Sequence, residues 1–367
     1  MRRSGDRAPR PPATGRCRGH RHHVMPVPMF VLVLAALASG GGVPTIAHAT
    51  SMPSRCLDTA VLPAPPRAVA MARAALEEHA RFGGQALDAE GRMVRAGVSE
   101  AEDAFPGRRR MLAAAPWERV LGYWGALDDG DGSASGLPDL VRFGALRPAS
   151  RRLLRQALDQ ATAPRLRGLG AAPGQGLESS ELRALGTALD RVAVMDTPWS
   201  AAFVSWLARE AGLDADEFAF SEAHADYAGA AWQATVAEAD GRPVRAALRA
   251  CDLTSTTPRV GDLVCQTRGA GAALTDFEAL GRVLAGRATG GQAVPMHCDV
   301  VTAVDATGFD AVGGNVLQSV TRRRLAFAPG TGRLDPSYLP AGCEAGASGC
   351  VDRHLSRQPW SLLLQWR

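Results

Sequence analysis

The sequence contains no lysine, so every strongly basic side chain among its 367 residues is an arginine. Aromatic residues make up only 5% of the chain. The formal net charge of +4 arises in one segment, because residues 1–49 carry seven arginines and one aspartate, which leaves the rest of the chain at −2. Without a basic domain, a nucleic-acid-binding function has no electrostatic support.

Long apolar runs are also missing. The best candidate, residues 29–38, is about half as long as the roughly 20 residues that a membrane-spanning helix requires. It follows a basic, proline-rich stretch and precedes the small-x-small triplet A-H-A at residues 47–49, which is typical of a signal-peptide cleavage site. We therefore predict a signal peptide over residues 1–49 and an exported protein, periplasmic or secreted, that starts near Thr50. An uncleaved signal anchor and translation from Met25 are the alternatives.

The sequence lacks C-x-x-C and H-x-x-x-H spacings, so a metal site is a weak rival to disulfide bonds, and no cofactor is implied. An even number of cysteines remains after signal removal, which favours disulfides in an exported chain. We expect a local pair near the C-terminal end and a pair between Cys265 and either Cys251 or Cys298. The acidic stretch D-D-G-D-G-S does not match a calcium loop, because, counted from Asp129, the sixth position is Ala134 instead of glycine and the twelfth is Leu140 instead of glutamate. The six cysteines are Cys56, Cys251, Cys265, Cys298 and the local pair Cys343 and Cys350.

Helical patterns come first in the chain and β-rich patterns follow, which is the order of an α+β fold. A proline-rich lead occupies residues 50–66, and a helical part follows over 67–127. Residues 128–187 are interpreted as an inserted or peripheral segment with a flexible linker. The predicted core covers 188–330, and 331–367 form a loop and a closing strand. Helices are expected at 67–82, 115–127, 149–161 and 198–211, and strands at 262–267, 296–305, 309–315 and 360–366.

The stretch P-W-S-A-A-F-V-S-W places Ser200 at the start of a helix. Thr197 suits the N-cap, and Pro198 suits the first helical position. Ser200 would then lie in the first turn, at the head of an apolar stripe. The amide groups and the dipole at a helix N-terminus favour a developing negative charge there.

The stretch P-M-H-C-D-V-V reads as a strand that places His297 and Asp299 on one face and Cys298 on the other. Cys298 therefore suits a disulfide or the opposite core rather than a catalytic pair with His297. If Val304 pairs with the return strand at Phe309, the side chain of Asn315 falls on the wrong face to orient His297. One extra residue at Gly313-Gly314 would correct this register, and Asp299 is the competing orienting group.

Four motifs in this order, P-W-S-A-A-F, G-D-L-V-C, H-C-D-V-V and G-G-N-V-L-Q-S-V, resemble the exported bacterial family called domain of unknown function 2272. The resemblance runs roughly over residues 67–327 and brings no known activity. More distantly, the pattern is similar to CHAP amidases and NlpC-type endopeptidases of the cell wall. It implies a papain-like core of helices on a small antiparallel sheet. Those enzymes carry cysteine where this chain has Ser200.

The resemblance implies a hydrolase of amide or ester bonds in cell-wall peptides, with peptidoglycan or a similar peptide as partner. Ser200 would be the nucleophile, His297 the base, and Asn315 or Asp299 the orienting group. A catalytically inactive protein that binds peptidoglycan in the same cleft is the alternative, and a structural serine is the third. The oligomeric state stays open.

Three further residues are candidates for substrate binding: Trp199, His224 and Arg268. A core position suits Trp199 equally well, and a histidine next to a helix cap often binds backbone, which is the competing interpretation of His224. Arg268 and residues 322–324 could bind a peptide carboxylate or lie in solvent. Asp262 suits a turn that leads into a strand.

Overall fold

The computed structural model describes residues 53–102, 114–127, 160, 164, 178–287, 294–340 and 351–367. The signal peptide, the acidic stretch at 128–133, nearly all of the helix expected at 149–161, and the pair Cys343 and Cys350 lie outside these residues. Within them, no helix is long and apolar enough to cross a membrane. The helices are α1 (Pro53–Ala60), α2 (Pro66–Arg81), α3 (Pro116–Gly125), α4 (Ser179–Asp196), α5 (Ser200–Glu210), α6 (His224–Ala239) and α7 (Phe277–Arg287).

The strands form one eight-stranded sheet, and the expected α+β class is confirmed. Its strand order is β2-β1-β7-β6-β5-β4-β8-β3, so the strand latest in the sequence lies between β4 and β3. Four of the strands match the predicted ranges within a residue. The strands are β1 (Gln85–Leu87), β2 (Met93–Arg95), β3 (Leu248–Asp252), β4 (Leu263–Thr267), β5 (Met296–Asp305), β6 (Gly308–Val316), β7 (Ser319–Ala326) and β8 (Trp360–Trp366).

The predicted order of helices before strands is incomplete, because the short strands β1 and β2 precede most of the helices. Strand β1 pairs in parallel with β7, and β2 forms the edge beside it. Three residues are too few to show a periodic pattern, so the sequence gives little sign of them. The N-terminal helical part is therefore joined to the sheet through backbone hydrogen bonds.

Helices α2 and α3 follow the expected local chemistry. Both have proline at the first position, where the missing amide hydrogen costs nothing. Helix α2 ends before Gly83 and Gly84, which adopt φ of 81° and 75°. Those left-handed angles favour glycine and end the helix where the sequence predicts.

The hairpin of β5 and β6 has the predicted pairing of Val304 with Phe309. The extra residue lies on β5, because Val301 pairs with Ala311 and Ala303 pairs with Asp310. Thr302 is therefore the bulged residue. A bulge changes the register as expected, but its predicted position at Gly313-Gly314 is wrong for this strand pair.

Each face of the sheet contributes to a separate apolar core. One core packs helices α2, α3, α5 and α6 against residues such as Cys298, Val300 and Leu364. The other includes Val301, Phe309, Trp360 and residues around them on the opposite face. Alternation along the strands distributes these side chains between the two cores.

Two disulfides lie within the described residues. Cys265 and Cys298 are directly opposite each other on β4 and β5 and are bonded, which is one of the two pairings predicted for Cys265. Cys56 is bonded to Cys251, and this bond attaches α1 to strand β3. The alternative pairing of Cys251 with Cys265 is thereby wrong.

The expected boundary between the peripheral segment and the core, at residues 187 and 188, falls inside helix α4. This helix begins at Ser179, so the last part of the segment predicted to be peripheral and to contain a flexible linker is helical. Asp262 is a structural residue at the start of β4. It is fully buried and accepts hydrogen bonds from the backbone amides of Arg259 and Trp366, which fasten β8 to the sheet.

Candidate functional site

Ser200 is the first residue of helix α5, and Trp199 is its N-cap. The predicted cap, Thr197, is two residues too early. Helix α4 ends at Asp196, and Thr197 is extended with φ of −119° and ψ of 121° because the residue before Pro198 avoids helical angles. Ser200 consequently lies among the first amides of α5, which have no acceptor within the helix.

The hydrogen-bond partner of Ser200 is His224. The Oγ atom of Ser200 lies 2.7 Å from Nε2 of His224, which opens helix α6. The sequence prediction gave this contact to His297 and is wrong on the partner. The other ring nitrogen of His224, Nδ1, is bonded to the hydroxyl of Tyr227, one turn further along the same helix face. Ser200, His224 and Tyr227 therefore form one continuous network of side-chain hydrogen bonds, the first of two polar networks.

A second polar network contains His297, Asp299 and Arg323. Nε2 of His297 lies 2.8 Å from Oδ1 of Asp299, and Nε of Arg323 lies 2.7 Å from Oδ2 of the same carboxylate. Of the two orienting groups considered for His297, Asp299 makes the contact. Asn315 lies just before the β6–β7 turn with a left-handed φ of 54°, and in the described parts of the chain no hydrogen bond joins it to His297.

The two polar networks meet at their histidines. The ring centroids of His224 and His297 are 5.2 Å apart, with an interplanar angle of 63°. Both rings are buried, and the side chain of Ser200 is only 1% exposed. Four elements, α5, α6, β5 and β7, thus bring their polar residues to one buried centre.

Two glycines of β6 make room for this centre. A Cβ atom on Gly313 would lie 1.8 Å from Oδ1 of Asp299 and 3.0 Å from Nε2 of His297. A Cβ atom on Gly314 would lie 2.7 Å from atoms of Phe203 and Trp199. The G-G pair of the fourth motif therefore permits the close approach of β6 to both the ion pair and helix α5.

The electrostatics keep His224 neutral and Asp299 charged. Burial, with help from His297 and Arg268, lowers the pKa of His224 well below its ordinary value of 6.5. Burial alone would raise the pKa of Asp299, but Arg323 and His297 outweigh it and the pKa lies below the usual 3.8. A neutral imidazole next to an alcohol can accept its proton.

Four buried polar atoms around the histidines have no hydrogen-bond partner within the described residues. Oδ2 of Asp299 and Nε of Arg323 are two of them, and these two form an ion pair with each other at 2.7 Å. The other two, Nδ1 of His297 and Oε1 of Gln266, have no ion pair either. Gln266 is the residue of β4 directly opposite His297, so their side chains lie on the same side of the sheet. Buried polar atoms are nearly always bonded, so unpaired ones at a candidate site indicate where a ligand could bind.

The three substrate-binding candidates have different positions. Trp199 is fully buried and packs against Phe82, Tyr123 and Phe203, so it is a core residue. His224 belongs to the centre itself, through side chains rather than the backbone. Arg268 is exposed and follows β4, near enough to His224 to lower its pKa.

Sequence reasoning missed Tyr227 and Arg323. A helical H-x-x-Y spacing places His224 and Tyr227 on one face, which is the signal that could have linked them. Arg323 lies in the run R-R-R, where alternation along β7 buries the middle arginine to 3% exposure and leaves its neighbours more accessible. The sequence suggests only carboxylate binding or solvent exposure for residues 322–324, because it does not show which face of the strand is buried.

A family model described as "Uncharacterized protein conserved in bacteria (DUF2272)" matches residues 168–366, just over half of the chain. The chain belongs to the DUF2272 family. The matched region contains every residue of the two polar networks and extends through β8. The resemblance predicted from the motifs began near residue 67 and ended near 327. No curated protein and no solved structure matches the chain.

Proposed function

We propose that this DUF2272 member is an exported serine hydrolase that cleaves amide or ester bonds in cell-wall peptides. Ser200 is the nucleophile and His224 is the general base. The observation that carries this assignment is the distance of 2.7 Å between Oγ of Ser200 and Nε2 of His224. It lies within the range of about 2.6–3.2 Å that proton transfer requires.

The tautomer of His224 decides whether Ser200 is activated. Because the ring is neutral, only one of its nitrogens carries a hydrogen. Catalysis requires that Nδ1 donate to the hydroxyl oxygen of Tyr227, which leaves Nε2 free to accept the proton of Ser200. Tyr227 is thus a positioning residue, since it fixes both the ring and its tautomer.

The reaction then follows acyl-transfer chemistry. Oγ of Ser200 attacks the carbonyl carbon as its proton passes to His224, and the amides at the start of α5 stabilise the oxyanion. His224 returns the proton to the leaving amine or alcohol as the C–N or C–O bond breaks. Water, deprotonated by His224, then hydrolyses the acyl-enzyme and releases the carboxylic acid.

The pair of His297 and Asp299 supports the protonated intermediate. A buried carboxylate next to the histidines favours a positive charge on the imidazole that forms during attack. The order of a helix-borne nucleophile, a strand histidine and a polar partner resembles that of CHAP and NlpC-type hydrolases. Here a second histidine lies between the nucleophile and the strand histidine. The two disulfides suit an oxidising compartment and so support export.

A fluorophosphonate probe tests the nucleophile directly. The protein should be labelled covalently at Ser200, and both labelling and release of peptides from peptidoglycan should be lost in Ser200→Ala. The matched control is Ser205→Ala on the same helix, because Ser205 is equally buried but bonds only the backbone of Ser221. Labelling at another residue, or labelling unchanged in Ser200→Ala, would remove the hydrolase assignment.

A binding protein without turnover is the second candidate, and the 1% exposure of Ser200 favours it. A nucleophile so well covered is accessible only if neighbouring residues move. In that case muropeptides, the fragments released from peptidoglycan by a muramidase, are retained by the protein although the probe does not react. Peptidoglycan digestion and pull-down on the same preparation therefore separate the two functions.

A further inference from the structure

The end of strand β4 carries a polar row on the side of the sheet that holds His297. Gln266 lies opposite His297, and Arg268 follows two residues later with extended angles, φ of −147° and ψ of 170°. Alternation along an extended chain therefore puts Arg268 on the same side as Gln266. The row starts in the buried centre and ends in solvent, since Gln266 is 6% exposed and Arg268 is exposed.

The backbone holds Arg268 in place. Its amide donates to the carbonyl oxygen of Pro295 over 2.9 Å, and its own carbonyl accepts from the amide of Gly271 at the same distance. The guanidinium, by contrast, forms no ion pair or hydrogen bond within the described residues. It nevertheless lies close enough to the centre to act on the pKa values of His224 and Tyr227.

Arg323, another arginine of the same sheet near the centre, has its charge balanced by a carboxylate. Arg323 is paired with Asp299 and is buried. The backbone of Arg268 is hydrogen-bonded, and its guanidinium has no partner in the described parts of the chain. Gln266, whose Oε1 is unpaired, precedes it by two residues on the same side of the sheet. A guanidinium supplies a planar pair of donors that matches a carboxylate, and an amide oxygen accepts from a peptide N–H.

We infer that Gln266 and Arg268 form a subsite for a peptide that carries a free carboxylate. The guanidinium of Arg268 binds the carboxylate, Oε1 of Gln266 accepts an N–H of the adjoining peptide unit, and the peptide thereby extends towards Ser200. This subsite rests on the proposed function, because it gives that centre its substrate class: acidic peptides, cut a short distance from a carboxylate.

The test compares free and blocked carboxylates. Muropeptides are prepared with a muramidase, and half of the pool is amidated with a carbodiimide and ammonia. Both halves are passed over immobilised Ser200→Ala protein, so that no turnover occurs, and the retained peptides are quantified by mass spectrometry. Retention of the free-acid pool should exceed that of the amidated pool roughly tenfold or more, as expected for a charge-assisted contact.

Variants of Arg268 identify the residue responsible. In the Ser200→Ala background, Arg268→Met should abolish the preference, and Arg268→Lys should restore part of it, since lysine keeps the charge without the planar pair of donors. Arg282→Met is the matched control, because Arg282 is also exposed but lies on helix α7. Equal retention of the two pools, no retention of either, or a preference unchanged in Arg268→Met would overturn the subsite.

The two proposals fail separately. If the probe labels Ser200 in the wild-type protein but the preference for free carboxylates is absent, the subsite is wrong and the hydrolase stands. If the preference depends on Arg268 but Ser200 is never labelled, the hydrolase is wrong and the subsite belongs to a binding protein.

Discussion

Gly313→Ala places a methyl group inside the polar centre. The new Cβ would lie 1.8 Å from Oδ1 of Asp299, whereas ordinary contacts start near 3.4 Å, so atoms must move by roughly 1.5 Å. Asp299 has little freedom, because His297 and Arg323 hold it at 2.8 and 2.7 Å. A shift of that size breaks a hydrogen bond of this length. Overpacking costs about 1–3 kcal/mol and loss of a buried ion pair about 3–5 kcal/mol, so we expect a loss of about 3 kcal/mol.

The assay for this variant is urea unfolding followed by tryptophan fluorescence, together with the rate of fluorophosphonate labelling. The labelling rate should fall at least tenfold, because displacement of Asp299 moves His297 against His224. Gly122→Ala is the matched control: a Cβ there meets nothing within 4 Å, and alanine should stabilise helix α3 by about 0.5–1 kcal/mol. Full stability and full labelling in Gly313→Ala would refute the close packing of β6 against Asp299.

Three other predictions concern pH and covalent links. Burial raises the pKa of Glu100 from 4.5 to about 7, so the folded protein keeps a proton that the unfolded chain loses, and stability should fall as pH rises through this window. In urea unfolding at pH 8, Glu100→Gln should gain up to about 3 kcal/mol and the exposed control Glu102→Gln almost nothing; equal gains would contradict this. Because His224 has a pKa well below 6.5, fluorophosphonate labelling should stay nearly constant from pH 8 down to pH 6, and a twofold loss at pH 6.5 would indicate an ordinary histidine. Replacing Cys56 and Cys251 together by serine opens a link that spans 195 residues and should cost about 2–5 kcal/mol in non-reducing urea unfolding; unchanged stability would refute a structural role for α1.

Much of the fold could be predicted because its signals are local. Proline at the start of α2 and α3, and glycines with left-handed angles after α2, set the helix ends. The alternation of β5 and the pairing of Val304 with Phe309 also depend on neighbouring residues only. Strands β1 and β2 escaped prediction because three residues carry no period, and because the pairing of β1 with the sheet depends on distant β7.

The site was predicted in part for the same reason. The position of Ser200 near a helix start follows from nearby residues, and so does the placement of His297 and Asp299 on one strand face. The contact of Ser200 with His224 depends on how the starts of α5 and α6 approach each other, which no spacing within the sequence encodes. The burial of Arg323 depends likewise on the packing around β7.

The place of β8 in the sheet has a consequence for how the molecule matures. Strand β8 emerges after the other seven during synthesis, yet it separates β3 from β4 and receives the carboxylate of Asp262 at Trp366. A nascent polypeptide that has not yet reached Trp360 leaves β3 without a neighbour in the sheet. The sheet therefore cannot be completed before residues 360–366 have been synthesised and have inserted between β3 and β4.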